Sequence, residues 1–229
     1  MTGDRLNSKD EAMVQSAFQD KLTQLRANNC EELPTSELAI LTRTITRLRR
    51  DKMYTRCLQV GETVPDFGFI DADNIKRKLY EVLERGPVIL NFFRGLWCPY
   101  CVTQIDAYEN IQPELARFGC AYFAISPQQP QTALDGSGAY QVIFDRDNKI
   151  ARDCGIVYRL EQLERNLFES WGLTSAKMNG GAGLELPVPA TFIVRKDRII
   201  GFQYIDVDFR KRCCPDQLIE ELKSFCDRP

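Results

Sequence analysis

The sequence predicts a mixed α/β fold, a central sheet with helices packed on both faces. Three observations carry that prediction. Two short apolar runs bounded by turn residues, Pro87–Phe93 and Cys120–Ser126, read as buried strands, with helical spacing between and after them. Two later runs, Thr191–Arg195 and Arg198–Tyr204, meet at Lys196–Asp197 as an antiparallel hairpin. A chain of 229 residues, 44% hydrophobic and 27% charged, also buries enough surface to hold a core without disulfides.

Residues 1–58 lack strand signals and read as helical. Ser8 with Glu11 makes a capping-box pattern, followed by Met13, Val14, Phe18, Leu22 and Leu25 at helical spacing. Pro34 and Thr35 restart the pattern, with Leu38, Leu41, Ile45 and Leu48 on one face. Arg43, Arg47, Arg49, Arg50 and Lys52 form either an anionic docking surface or a solvated helix face. The character changes at Val60. Gly61, Pro65 and Asp66 punctuate a short extended stretch, and Lys76–Arg85 reads as a helix. After the first strand, Pro99–Phe118 reads as a long helix kinked at Pro113. Tyr140–Phe144 is a third strand, and Asn148–Cys154 and Leu160–Trp171 are helices or turns. Residues 172–187, with Gly172, Gly180, Gly181 and Gly183, read as a glycine-rich loop, and Asp216–Cys226 as a closing amphipathic helix. These signals divide the chain into a helical extension, 1–58, and an α/β domain, 59–229.

Composition narrows the chemistry. Thirty Lys and Arg face 32 Asp and Glu, a formal charge of −2, which argues against a general nucleic-acid or anionic-membrane binder. The chain has no histidine, which removes Ser-His-Asp and Cys-His nucleophile systems, Cys2His2 zinc sites and His-ligated haem. Nucleophilic and acid–base work must then fall to Cys, Lys, Tyr, Asp or Glu. There are nine cysteines, at 30, 57, 98, 101, 120, 154, 213, 214 and 226. The polar N-terminus carries no secretory signal, so a reducing, cytoplasmic setting is expected, where a close cysteine pair is catalytic or metal-binding rather than structural. No apolar run approaches the length of a membrane span.

One pair has a specific physical reading. Cys98-Pro-Tyr-Cys101 stands where a buried strand gives way to a helix. A thiolate at a helix N-terminus faces unpaired N–H groups and the positive end of the macrodipole, which lowers the thiol pKa and favours the reactive form. Pro99 suits the first helical turn, and the spacing puts both sulfurs on one side of it, within disulfide reach. Two other readings stand beside this one: an inert buried pair, and a zinc site that would need two more ligands, with Cys213–Cys214 the only other close pair. Arg94 either holds positive charge near the thiolate or is a solvent-exposed arginine. Cys120 and Cys154 read as core. Cys213–Cys214, before Pro215, is incidental or a secondary redox or metal-sensing pair, and Cys30, Cys57 and Cys226 show no partner by spacing.

Four segments together resemble a known family. They are Val60-Gly-Glu-Thr-Val-Pro-Asp-Phe67, Arg94-Gly-Leu-Trp-Cys-Pro-Tyr-Cys101, Ala124-Ile-Ser-Pro-Gln128 and Leu186-Pro-Val-Pro-Ala-Thr-Phe192. Over Val60 to Leu222 the chain resembles the thioredoxin-fold superfamily and, within it, the peroxiredoxin-like (alkyl hydroperoxide reductase/thiol-specific antioxidant) branch. Cys-Pro-Tyr-Cys is also the glutaredoxin active-site sequence. The resemblance implies a thioredoxin-like three-layer sandwich and a thiol-dependent antioxidant oxidoreductase, cycling a Cys98–Cys101 disulfide without metal or organic cofactor. It implies that Pro189 is a cis-proline held against that disulfide, the alternative being a trans proline before an edge strand. Trp97, Pro99, Tyr100, Pro189 and Arg94 are then the expected substrate-binding set.

Two departures leave the register open. The peroxiredoxin pattern Pro-x-x-x-Thr-x-x-Cys places Cys101 at the peroxide-reducing position and Cys98 where the threonine stands. It also places Pro189 where the peroxide-polarising arginine stands. In one cycle Cys98 attacks a disulfide and Cys101 resolves the mixed disulfide; in the other Cys101 is oxidised to sulfenic acid and Cys98 condenses with it. Either needs thioredoxin, glutaredoxin or glutathione as reductant, with a hydroperoxide or disulfide as substrate. The resemblance leaves room for a homodimer. A reading from another class is a redox-sensing binding module without turnover, its partner seated on the glycine-rich loop or on 1–58.

Overall fold

The structure, a computed structural model, describes residues 8–71, 73–129, 141–179 and 184–226. Two helices lead, α1 (Ser8–Glu32) and α2 (Thr35–Arg50), followed by a short 3-10 turn at Met53–Thr55. The α/β part then runs β1 (Gly68–Ile70), β2 (Lys76–Lys78), α3 (Leu79–Leu83), β3 (Val88–Phe92), α4 (Pro99–Asn110), α5 (Gln112–Arg117) and β4 (Ala121–Ser126). It continues through β5 (Gln141–Phe144), α6 (Lys149–Asp153), β6 (Val157–Arg159), α7 (Gln162–Ser170) and α8 (Ser175–Asn179). It ends with β7 (Glu185–Pro187), β8 (Ala190–Val194), β9 (Ile200–Ile205) and α9 (Pro215–Cys226).

The central sheet has the order β5-β4-β3-β8-β9. β3, β4 and β5 are parallel, while β8 is antiparallel to both β3 and β9. Side chains alternate across each strand and feed two cores. Ile89, Tyr122, Ala124 and Ile193 share a core with residues of α1, α4, α5 and α9. Leu90, Phe92, Phe123, Ile125 and Phe192 share the other with residues of β1, α3 and α6. That is the three-layer sandwich, and cover on both faces explains why the strand sequences are apolar throughout. A third cluster joins Ile45 and Leu48 of α2 to Phe168 of α7 and to Tyr158 and Leu186 of the β6–β7 ribbon.

The arginines of α2 serve this junction. Arg43 and Arg47 reach Glu161 at 3.6 and 3.2 Å, and Arg47 also reaches the buried Glu164 at 3.2 Å. The rest of their face is solvated, with Arg49 and Arg50 exposed and reaching Asp208 and Asp51. No described helix is long and apolar enough to cross a membrane.

Several elements differ from expectation. Lys76–Lys78 opens no helix; it pairs antiparallel with β1, its lysines exposed on a two-stranded ribbon. Only Leu79–Leu83 is helical, burying both terminal leucines. The stretch expected to be one kinked helix is two, parted at Ile111, so Pro113 sits in the first turn of α5. The 172–187 segment holds α8 and β7, and β7 pairs with the unforeseen β6. Gly180, Gly181 and Gly183 lie outside the described residues, as do the side chains of Ser8, Glu11, Met13 and Val14.

Candidate active site

β3 ends at Phe92, and a short loop turns the chain into α4. Gly95 adopts φ +150°, and a Cβ there would meet the Trp97 indole nitrogen at 2.4 Å, so this turn requires glycine. The Leu96 N–H donates to the Gln128 side chain at 2.6 Å, fixing the loop beside the end of β4. Cys98 is the N-cap of α4, Pro99 opens the helix, and the Val102 N–H donates to the Cys98 carbonyl at 3.1 Å. Cys101 follows one turn on.

Both sulfurs are buried, Cys98 at 1% and Cys101 at 0% exposure. Each has its own arginine. Arg94 Nη2 donates to Cys98 Sγ at 3.1 Å. Arg212, from the segment before α9, donates through Nη2 to Cys101 Sγ at 3.3 Å and through Nε to the Tyr100 carbonyl at 3.4 Å. The Arg94 guanidinium also lies 3.9 Å over the Phe209 ring and 5.0 Å from the Trp97 ring centre. Burial alone would push both thiols up. At Cys98 it is overcome by the Cys101 S–H donating to it and by the charges of Arg94 and Arg212, which hold this thiol well below its ordinary range. At Cys101, burial, the hydrogen bond given to Cys98 and the Cys98 charge together push the thiol well up. The electrostatics of the pair thus favour the thiolate at Cys98 and the thiol at Cys101.

Cys98 opens onto a cleft of about 260 Å³. Asn29, Leu33 and Leu41 wall it from the N-terminal helices, and Phe168, Trp171 and Leu173 from α7 and the residues after it. Trp97 packs on Phe168 at 5.6 Å between ring centres, and Tyr100 meets Phe209 edge-on at 5.8 Å. The Asn29 amide donates to the Tyr100 hydroxyl at 3.3 Å, tying α1 to the start of α4.

Of the residues expected at the site, Arg94, Trp97, Cys98, Pro99 and Tyr100 converge on this cleft. Pro189 does not line it, and the expected cis bond is overturned: the described residues contain no cis peptide. The Val188 N–H is bound to the Ile156 carbonyl at 2.8 Å, and the chain passes from β7 into β8 through the trans form that X–Pro bonds ordinarily favour. Nor is the following strand an edge, since β8 lies between β3 and β9. Arg94 is 4% exposed, not a surface arginine. Sequence reasoning missed Phe209, Phe168 of α7, Trp171 just after it and above all Arg212. The one signal for Arg212 was its place beside Cys213–Cys214. Those two thiols are buried, and burial pushes Cys213 up to about 12. Among the described residues, no three His, Cys, Asp or Glu side chains converge as metal ligands.

A three-layer sandwich with a dithiol at the strand–helix junction defines a thioredoxin-fold protein. The AhpC/TSA family model matches residues 60–203, more than half of the chain, and the chain belongs to that family. It is 24% identical over 102 residues to the thiol-disulfide oxidoreductase ResA of Geobacillus thermodenitrificans, covering 42% of this chain and spanning 58% of that protein's length. Peroxidoxin BcpB from Mycobacterium tuberculosis is similar in structure, with TM-score 0.53 and 19% identity over 73% of this chain and 97% of that one. A mutant peroxiredoxin 6 of Arenicola marina reaches TM-score 0.57 at 18% identity, over 74% of each chain. At these identities the structural likeness speaks for the fold.

Proposed function

We propose that this thiol-dependent oxidoreductase reduces small hydroperoxides, with Cys98 as the attacking thiolate and Cys101 as the resolving thiol. The observation that carries the reading is the Cys98 sulfur itself, 1% exposed, bonded by the Arg94 guanidinium at 3.1 Å and opening onto a 260 Å³ cleft. A sulfur this deep favours a small hydroperoxide that enters the cleft over the disulfide of a folded protein, and by the same reasoning favours glutathione over thioredoxin or glutaredoxin as the reductant. The thiolate takes the terminal peroxide oxygen and becomes sulfenic acid. The O–O bond breaks beside the Arg94 guanidinium, and the alkoxide leaves as alcohol after taking a proton. Cys101 then attacks the sulfenic sulfur, closing the disulfide and releasing water. Arg94, Trp97, Pro99 and Tyr100 surround the substrate. This assignment reverses the register implied by the peroxiredoxin pattern; it is supported by Cys98, and not Cys101, lining the cleft and by the upward push on the Cys101 thiol.

Two external thiols restore the dithiol. Thioredoxin, glutaredoxin and glutathione all supply them, and the cleft's size supports glutathione. The cycle uses neither metal nor organic cofactor, and the cytoplasm suits its reduced resting state. The 59–229 part carries the chemistry while 1–58 walls the cleft, a division supported by the family match beginning at residue 60.

The test is peroxide consumption by the reduced protein, recycled with glutathione or thioredoxin, beside Cys98→Ser and Cys101→Ser. Cys98→Ser is expected to be inactive. Cys101→Ser consumes one equivalent and leaves a trappable sulfenic acid on Cys98. Sulfenic acid on Cys101 in Cys98→Ser would reverse the roles. Disulfide reduction without peroxide consumption would make the chain a disulfide exchanger, and oxidation without turnover a redox-sensing module.

A further inference from the structure

We propose that Arg212 is a positioning residue for the second half of the cycle: it stabilises the thiolate that Cys101 forms by losing its proton once Cys98 has been oxidised. The inference deepens the reading above and rests on Cys98 reacting first.

Arg212 lies outside the matched family segment, 111 residues from Cys101 in sequence, yet is 3% exposed and bonded to the Cys101 sulfur. Its Nη1 has no acceptor among the described residues. A buried guanidinium is costly unless a counter-charge stands beside it. The carboxylates of the same segment are engaged elsewhere: Asp208 accepts two hydrogen bonds from Arg210 at 2.7 and 2.8 Å, and Asp206 pairs with Lys211 at 3.0 Å. The phenols facing the site, Tyr100 of α4, Tyr204 of β9 and, beside Arg94, Tyr158 of β6, are pushed up by burial and stay neutral. The thiol pair is therefore the counter-ion, with two buried cations sharing one anion.

Oxidation of Cys98 to sulfenic acid, or to a mixed disulfide, removes that anion. The bond that Cys101 gave to the Cys98 thiolate and the charge that held it protonated vanish in the same event. Arg212 remains in place, 3.3 Å from Cys101 Sγ. Cys101 then gives up its proton, its sulfur lone pair forms the S–S bond, and the displaced hydroxide leaves with a proton as water. From a mixed disulfide the leaving group is a thiolate. Arg94, bonded to Cys98, serves the first step, and Arg212 the second.

The experiment compares wild type with Arg212→Gln and Arg212→Lys in stopped flow from pH 5 to 9. The reduced protein is oxidised in one arm by a stoichiometric hydroperoxide and in the other by a small aromatic disulfide. Arg212→Gln should slow closure of the Cys98–Cys101 bond about tenfold or more at neutral pH, because the attacking thiolate is scarcer. The Cys98 adduct should accumulate, and the closure rate should titrate at higher pH than in wild type. Arg212→Lys, which keeps the charge, should restore most of the wild-type profile. Slower closure with an unchanged pH profile, or no slowing, overturns the Arg212 role. Failure of the peroxide arm alone sinks the peroxidase reading, because the disulfide arm still measures closure.

Discussion

Two helices of this molecule begin alike and treat their cysteines in opposite ways. α4 and α9 are each 12 residues long, and each has a cysteine directly before a proline in the first helical position. In both, that cysteine's carbonyl accepts the N–H four residues on, at 3.1 Å from Val102 and 3.2 Å from Leu218. Each has a second cysteine close by in sequence. Yet Cys98 is held well below the ordinary thiol range, while burial pushes Cys214 up. The N–H groups of Asp216 and Gln217 pull Cys214 down without overcoming that burial, and the Asp216 charge adds to it. A helix N-terminus therefore does not activate a buried thiol here. A thiol that donates to it and two buried guanidinium groups do.

The largest test of the comparison is to remove each sulfur. Cys98→Ser should lower peroxide turnover by about 10³-fold or more, the loss of a nucleophile. Cys214→Ser should leave turnover per folded molecule unchanged. If Cys214→Ser were the inactive variant, the contrast would be inverted. Next comes the charge. Arg94→Gln should slow the oxidation step about 100-fold, in the range for losing one preorganised donor at a reacting centre. The pH profile of Cys98 alkylation sharpens the same point. Because this thiol is depressed in the folded state, alkylation should stay fast below the ordinary thiol range near pH 8.5 and fall only as acid passes the depressed value. The reduced wild type should lose part of its stability as pH falls through that value, an effect absent from Cys98→Ser. In Arg94→Gln the alkylation midpoint should move upward.

The same contrast explains what could be read from the chain. β3, β4, the β8–β9 hairpin and the dithiol announce themselves through runs of at least five residues or fixed local spacing. β2, β6 and β7 are three-residue strands, too short to show a period, and β2 is Lys-Arg-Lys. At the site, Arg94 stands four residues from Cys98 and was visible. Arg212 arrives through the tertiary fold, and no spacing rule connects it to Cys101. Glycine content misled at 172–187, since its helix and strand carry none of the glycines.

A smaller effect follows from the network that joins the two helix starts. The Tyr108 hydroxyl, on α4, donates to the Cys213 carbonyl at 3.0 Å and accepts from Gln104 at 3.1 Å. Beneath it, Asn91 meets the Tyr122 hydroxyl at 2.9 Å and Thr191 at 3.2 Å. Tyr108→Phe leaves a buried carbonyl without this donor, a cost of about 1–3 kcal/mol. Urea unfolding should show a lower midpoint at unchanged slope. Alkylation of Cys98 should keep its pH profile, because the arginines do not depend on this hydroxyl. A shifted profile would mean that the Tyr108 network also sets the charge on the pair.

The smallest effect separates the two remaining explanations of the contrast, arginines at one end or an aspartate at the other. Asp216 Oδ2 lies 4.0 Å from Cys214 Sγ, and its charge is one of the causes that raise this thiol. Asp216→Asn keeps the backbone N–H and removes the charge. Burial, the first cause, is untouched, so the Cys214 alkylation midpoint should fall only slightly and stay above that of Cys98. Were Cys214 in this variant to become as reactive as Cys98, the helix end would suffice once an opposing carboxylate is gone. The arginines would then be auxiliary. A small shift leaves the deciding difference with what surrounds Cys98, since the two sites then share helix start and proline, and only Cys98 has a donating thiol and two cations beside it.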